Sequence, residues 1–150
     1  MRLTIDASVF VAAARTTEPQ YASSESFLLT LQTVNAEIFC PSLVLPESSA
    51  AIARRSGDEK LAMLTAKLIA GQVGMQLISI TKTRAQRAAH IAAHQKLHGA
   101  DSVYVAIAEE FAATLVTLDS SILQRAGNLV AVTTPADWLL MQQTNSNSPS

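Results

Sequence analysis

The stretch Leu3-Thr4-Ile5-Asp6-Ala7-Ser8 decides the fold. A short unbroken β-compatible run ends at an acid, and Ala7 to Ala14 then continues in helix-compatible residues. A continuous apolar run of this kind suits a strand covered on both faces. The same order returns at Thr114 to Leu118, followed by Asp119 and a short helical segment, Ser120 to Ala126. Outward from these two runs, Glu37 to Cys40, Met75 to Ile80 and Leu129 to Thr133 read as further strands. Tyr21 to Ala36 places Phe27, Leu28, Leu31 and Val34 at helical spacing. Leu43 to Arg55 opens with Pro46 in its first turn, and Asp58 is positioned to cap a helix running to Ala70. Thr81 to Leu97 reads as a long helix closed by Gly99, Asp101 to Ala113 as another, and Pro135 to Met141 as a last turn or two.

Strands therefore alternate with helices. The pattern predicts an α/β fold, a three-layer α/β/α sandwich around a short parallel sheet of four to five strands. At 150 residues and 49% apolar composition one domain is expected, over residues 1–141. Residues 142–150, rich in Asn, Ser and Gln, read as a disordered tail. The formal net charge of −1 gives no overall basic field to draw in nucleic acid or an anionic membrane. The single cysteine, Cys40, excludes an internal disulfide and a Cys-rich zinc site, and its apolar surroundings make it a buried thiol. Asp6 interrupts the first apolar run, so no signal peptide is read there, and no run is long enough to span a membrane. A cytoplasmic protein is the expectation.

Asp6 and Asp119 directly follow strands, and in an open parallel sheet the carboxyl ends of the strands form the ligand crevice. Glu47 and Asp101 lie in the first turns of helices that start at the same edge. Each acid alone has an ordinary explanation, as an N-cap or as a complement to a helix dipole. Together, four like charges at one partly buried place repel one another. A cation relieves that repulsion, and oxygen-only ligands point to a hard one, Mg²⁺ or Mn²⁺. Ser8 and Thr117, two residues from Asp6 and Asp119, are candidates to orient a carboxylate or a metal-bound water; a helix-start residue and a β-former are the alternatives.

The segments Leu3 to Ser8, Pro46-Glu47, Gly99 to Ala108 and Leu115 to Asp119 resemble, in order and spacing, the motifs of PIN-domain ribonucleases. Length and layout are similar to the VapC-type toxins of that family. The resemblance implies a PIN-like fold up to about Leu140 and an acidic quartet that binds Mg²⁺ or Mn²⁺ and hydrolyses RNA phosphodiesters. Matched residue by residue, the quartet falls on Asp6, Glu47, Asp101 and Asp119, with Thr117 as the hydroxyl before the last acid. Asp6 and Asp101 are expected as direct ligands, Glu47 as a ligand or the holder of the attacking water, and Asp119 as the ligand of a second or weaker ion. The resemblance also implies a cognate antitoxin protein and a homodimer. Apolar residues on the helices around Phe27 to Leu31 or Leu61 to Leu68 are candidates for either interface, and core packing is the alternative.

Basic residues at Arg54, Arg55 and Lys60, and at Lys82, Arg84, Arg87 and Lys96, are candidates to hold RNA backbone, against a solvated helix face. His98, close to Asp101, is a candidate phosphate contact. His90, His94 and His98 lie four apart and are expected on one helix face, where a solvated stripe outweighs zinc binding. Trp138 reads as the anchor of the terminal helix. Two competing classes remain. A receiver-like signalling domain also clusters carboxylates at strand ends, but it needs a lysine after a late strand, and Thr134-Pro135 stands there. A PIN-like module that only binds RNA or protein would normally have lost part of the quartet.

Overall fold

The computed structural model describes residues 1–146. Five parallel strands form one sheet: β1 (Arg2–Ile5), β2 (Glu37–Pro41), β3 (Met75–Ile78), β4 (Thr114–Val116) and β5 (Val132–Thr133), in the order β3-β2-β1-β4-β5. The helices are α1 (Ala7–Ala13), α2 (Tyr21–Leu31), α3 (Val44–Ser56), α4 (Glu59–Ala70), α5 (Lys82–Gln95), α6 (Gly99–Glu110), α7 (Ser120–Arg125) and α8 (Pro135–Ser146). The predicted α/β sandwich is the observed architecture.

Strand order places the site. From β1 the chain steps to β2 and β3 on one side, then crosses back to β4 and β5 on the other. Right-handed crossovers put α1 to α4 on one face of the sheet and α5 to α7 on the other. The reversal falls between β1 and β4, which pair from Leu3↔Thr114 to Ile5↔Val116. The chain parts there above the carboxyl ends of these two strands, and a crevice opens.

The core follows from the apolar runs. Leu3, Ile5, Ile38, Cys40, Leu115 and Val116 are buried between the helix layers. Helix α6 buries Ser102 and every residue from Tyr104 to Ala108, and packs on β1, β2 and β4. Each large apolar side chain so buried contributes about 1.5–3 kcal/mol. The Cys40 thiol donates to the Ile5 carbonyl at 3.3 Å, and burial pushes its pKa up to about 12. It is the inert structural thiol expected. Trp138 of α8 stands edge-on to Phe27 of α2 with ring centroids 4.9 Å apart, which makes it the predicted anchor.

Several boundaries differ from the sequence reading. Helix α2 ends at Leu31, five residues before the predicted Ala36, in a turn where Thr33 N–H bonds the Thr30 carbonyl at 3.0 Å. Lys96, not Gly99, closes α5: it takes a left-handed conformation (φ 53°), and Gly99 begins α6. Helix α6 stops at Glu110 because Ala112 is also left-handed (φ 49°), and Ala113 N–H closes the end on the Ala108 carbonyl at 2.8 Å. Strand β3 is shorter than predicted and lies at the sheet edge, so Gln76 and Leu77 are exposed. Helix α8 continues to Ser146, through part of the predicted tail; the rest of that tail, residues 147–150, lies outside the described residues.

Among the described residues no helix is long and apolar enough to cross a membrane. Phe27 and Leu31 belong to the core, whereas Met63, Leu64 and Leu68 on α4 and Leu29 on α2 are exposed.

Candidate metal centre

Asp6 ends β1 and caps α1. Its Oδ2 accepts hydrogen bonds from the Ser8 amide at 3.3 Å, the Ser8 hydroxyl and the Thr117 hydroxyl at 2.9 Å. Both hydroxyls also accept: Ser8 Oγ from the Leu118 amide at 3.0 Å, and Thr117 Oγ1 from the Asp119 amide at 2.9 Å. Two side chains thus stitch the end of β1 to the end of β4 through one oxygen of Asp6. Its other oxygen, Oδ1, takes no hydrogen bond from the described residues. Asp6 is only 5% exposed. Burial, reinforced weakly by Glu47, outweighs these hydrogen bonds and pushes its pKa up to about 6.

Glu47 enters from the first turn of α3. Its Oε2 accepts a 2.6 Å hydrogen bond from the Tyr104 hydroxyl. Burial raises its pKa, the Tyr104 bond opposes that, and Asp101 adds to it. Asp101, in the first turn of α6, is raised by burial and then by Asp119, while its bond from His98 Nδ1 at 3.2 Å lowers it. Asp119 follows β4 and caps α7 by accepting from the Ile122 amide at 3.0 Å. Asp6 feels Glu47, Glu47 feels Asp101, and Asp101 feels Asp119. The capping roles and the joint site are therefore compatible.

All four acids line one cleft of ≈ 390 Å³, together with Ser8, Arg54 and Arg55. Among the described residues no three His, Cys, Asp or Glu side chains are drawn together closely enough to enclose a metal as they stand. The donor set nevertheless fits a hard cation: the four acids offer oxygen donors only, burial disfavours the charge of Asp6, Glu47 and Asp101, and Asp6 keeps one oxygen unspent. Mg²⁺ in particular retains several waters and does not require a tight protein cage.

Tyr104 was absent from the sequence reading as a site residue. It is fully buried and lies one helical turn after Asp101, so both acids are served from one face of α6. The three-residue spacing from Asp101 was the signal available. Tyr104→Phe is expected to leave the fold intact, cost about 1–3 kcal/mol of thermal stability and weaken Mn²⁺ binding several-fold, measured by thermal unfolding and titration calorimetry.

Other candidates fall elsewhere. Arg84 and Arg87 do not join the cleft. Arg84 forms a two-point pair with Glu110 (2.8 and 2.7 Å), and Arg87 one with Glu109 (2.7 and 2.5 Å), both tying α5 to α6. His98 does not share a face with His90 and His94, because the left-handed Lys96 ends α5 before it. The rings of His90 and His94 are neighbours, with centroids 4.4 Å apart. His98 instead points its Nδ1 at Asp101 from the N-cap of α6.

A doubly wound parallel sheet with an acidic crevice at its reversal point defines the class: an α/β domain with carboxylates gathered at the carboxyl ends of its strands. The model of the PIN domain matches residues 3–128, and the chain belongs to that family. No curated protein matches it. Similar solved structures include VapC20 of Mycobacterium tuberculosis, a toxin that cleaves the sarcin-ricin loop (TM-score 0.68, 13% identity, 81% of this chain and 93% of that one). VapBC2 of Rickettsia felis, solved on a DNA fragment from its promoter, is also similar (0.67, 16%, 89% and 98%). So is FitAcB of Neisseria gonorrhoeae (0.64, 19%, 89% and 97%). At these identities the likeness establishes the fold.

Proposed function

We propose that this PIN-domain protein is a Mg²⁺- or Mn²⁺-dependent endoribonuclease and the toxin of a toxin–antitoxin pair, acting in the cytoplasm. The observation that carries the reading is the meeting of Asp6, Glu47, Asp101 and Asp119, from four separate elements, in one cleft. Asp6 through Oδ1, and Asp101, would hold the metal; Glu47 would bind it or the attacking water, and Asp119 would hold a second or weaker ion. When bound, the metal lowers the pKa of a water and offsets charge on the phosphate. Ser8 and Thr117 fix the Asp6 carboxylate by filling Oδ2. Tyr104 fixes Glu47 by filling Oε2, and no hydrogen bond from the described residues occupies Oε1. Among the described residues no histidine lines the cleft, and the carboxylates with their ion would carry the chemistry.

The structural similarity to VapC20 and to solved toxin–antitoxin complexes supports an RNA substrate and an antitoxin partner. The exposed Met63, Leu64 and Leu68 of α4 supply apolar area for that partner or for a second copy of the chain. Incubation with RNA is expected to give cleavage with Mn²⁺ and none in EDTA; cleavage that persists in EDTA overturns the metal mechanism. Sequencing of cut RNA ends after induced expression identifies the target, and intact RNA throughout leaves the binding-only PIN module as the reading.

A further inference from the structure

The cleft is charged differently along its length. On α3, Glu47, Ala51, Arg54 and Arg55 fall on one face (i, i+4, i+7, i+8), and all four line the cleft. The opposite wall is Ser8, Val11 and Ala12 of α1, which packs against α3. Arg54 and Arg55 therefore sit about 10–12 Å along the helix axis from Glu47. One end of the cleft is acidic and built for a cation; the other carries two guanidinium groups. Between α1 and α2, Glu18 reaches into this cationic end. Its Oε1 meets Arg55 at 3.1 Å and Arg15 at 3.2 Å. The Glu18 side chain is only 20% exposed, while that of Arg55 is 53% exposed.

We propose that the Arg54–Arg55 end of the cleft is a subsite for an RNA backbone phosphate neighbouring the one cleaved, and that Glu18 occupies it in the free protein. This deepens the ribonuclease reading and rests on it. Glu18 meets Arg55 through a single oxygen, and a phosphate oxygen is an anionic acceptor of the same kind, so one can replace the other on the guanidinium. An ion pair with a half-exposed partner is weak enough for a polyanion to displace. The small Ala12 and Ala51 keep the passage between the two ends open. Glu18 also repels any backbone that fails to displace it, so it selects for RNA that engages Arg55.

The test is binding of a fluorescein-labelled single-stranded RNA, read by anisotropy in EDTA so that nothing is cut, across a salt series. Arg55→Ala is expected to weaken Kd about five-fold and to reduce the slope of log Kd against log salt by about 0.7, the share of one phosphate contact. Glu18→Gln is expected to tighten Kd about two- to five-fold. In Glu18→Gln combined with Arg55→Ala, that gain disappears, because the guanidinium that Glu18 masks in the cleft is gone and its other partner, Arg15, does not line the cleft. A gain that survives in the double variant is a general charge effect and overturns the subsite, as does a Glu18→Gln variant that binds no better than wild type. Absence of RNA binding by every variant overturns the ribonuclease reading itself, so the two failures are distinct.

Discussion

Replacing Asp6 with asparagine is expected to abolish metal-dependent RNA cleavage, by about 10²–10³-fold or more, and at the same time to stabilise the metal-free protein at neutral pH. Asparagine keeps one oxygen for the Ser8 and Thr117 hydroxyls, so the stitch between β1 and β4 survives. What is lost is the negative charge at the cleft. Unfolded, the Asp6 carboxyl gives up its proton near 3.8; folded, it does so at about 6. Between these values the folded chain holds the extra proton, so the contribution of Asp6 to stability is fully present below pH 3.8 and is lost as pH rises through 6. The difference corresponds to about 3 kcal/mol above pH 6. Asp6→Asn removes that cost. Denaturant unfolding in EDTA should show the variant more stable at pH 7.5, with the gain gone near pH 3.5. Equal stability at pH 7.5 would sink the account of Asp6 as a buried, uncompensated charge. Added Mn²⁺ should stabilise wild type and leave the variant almost unmoved.

Gly74→Ala is expected to be the most damaging single change outside the cleft. Gly74 has φ +78°, and a Cβ there would overlap the backbone carbonyl oxygen of Ala36. The same glycine accepts the Ile38 amide at 2.9 Å, which starts the pairing of β2 with β3. Left-handed backbone costs a non-glycine residue about 1–2 kcal/mol, and displacing Ala36 disturbs the entry to β2 as well. A loss of about 3 kcal/mol or more is expected in denaturant unfolding. Gly57, also at positive φ but with open space around its Cβ position, serves as the control: Gly57→Ala should cost only about 1–2 kcal/mol.

How far the sequence could be read depended on the range of each interaction. Asp6 and Asp119 were legible because strand, acid and helix follow one another within a few residues. Glu47 and Asp101 were legible as first-turn acids. Tyr104 was not, because its partner Glu47 is 57 residues away and a tyrosine in an apolar helix looks like filling. Arg84 and Arg87 looked like a basic strip because Glu109 and Glu110, 22 and 26 residues on, could not be seen to neutralise them. The histidine stripe failed on one residue: Lys96 turns left-handed with no glycine or proline to announce it. Glu18 lies in a connection with no periodic signal, and only its contacts with Arg15 and Arg55 give it a place at the cleft.

The hydrogen bond from Thr117 to Asp6 joins residues 111 apart in the chain. This has a consequence for synthesis on the ribosome. The first strand emerges early but stays at the centre of an incomplete sheet, since its second neighbour, β4, is made last but one among the strands. Asp6 has one hydroxyl partner and no Thr117 until β4 has emerged and paired. A nascent chain therefore carries its first acid long before it carries a site. For a protein proposed to cut RNA, the fold itself delays activity until translation has moved well past the last of the four carboxylates.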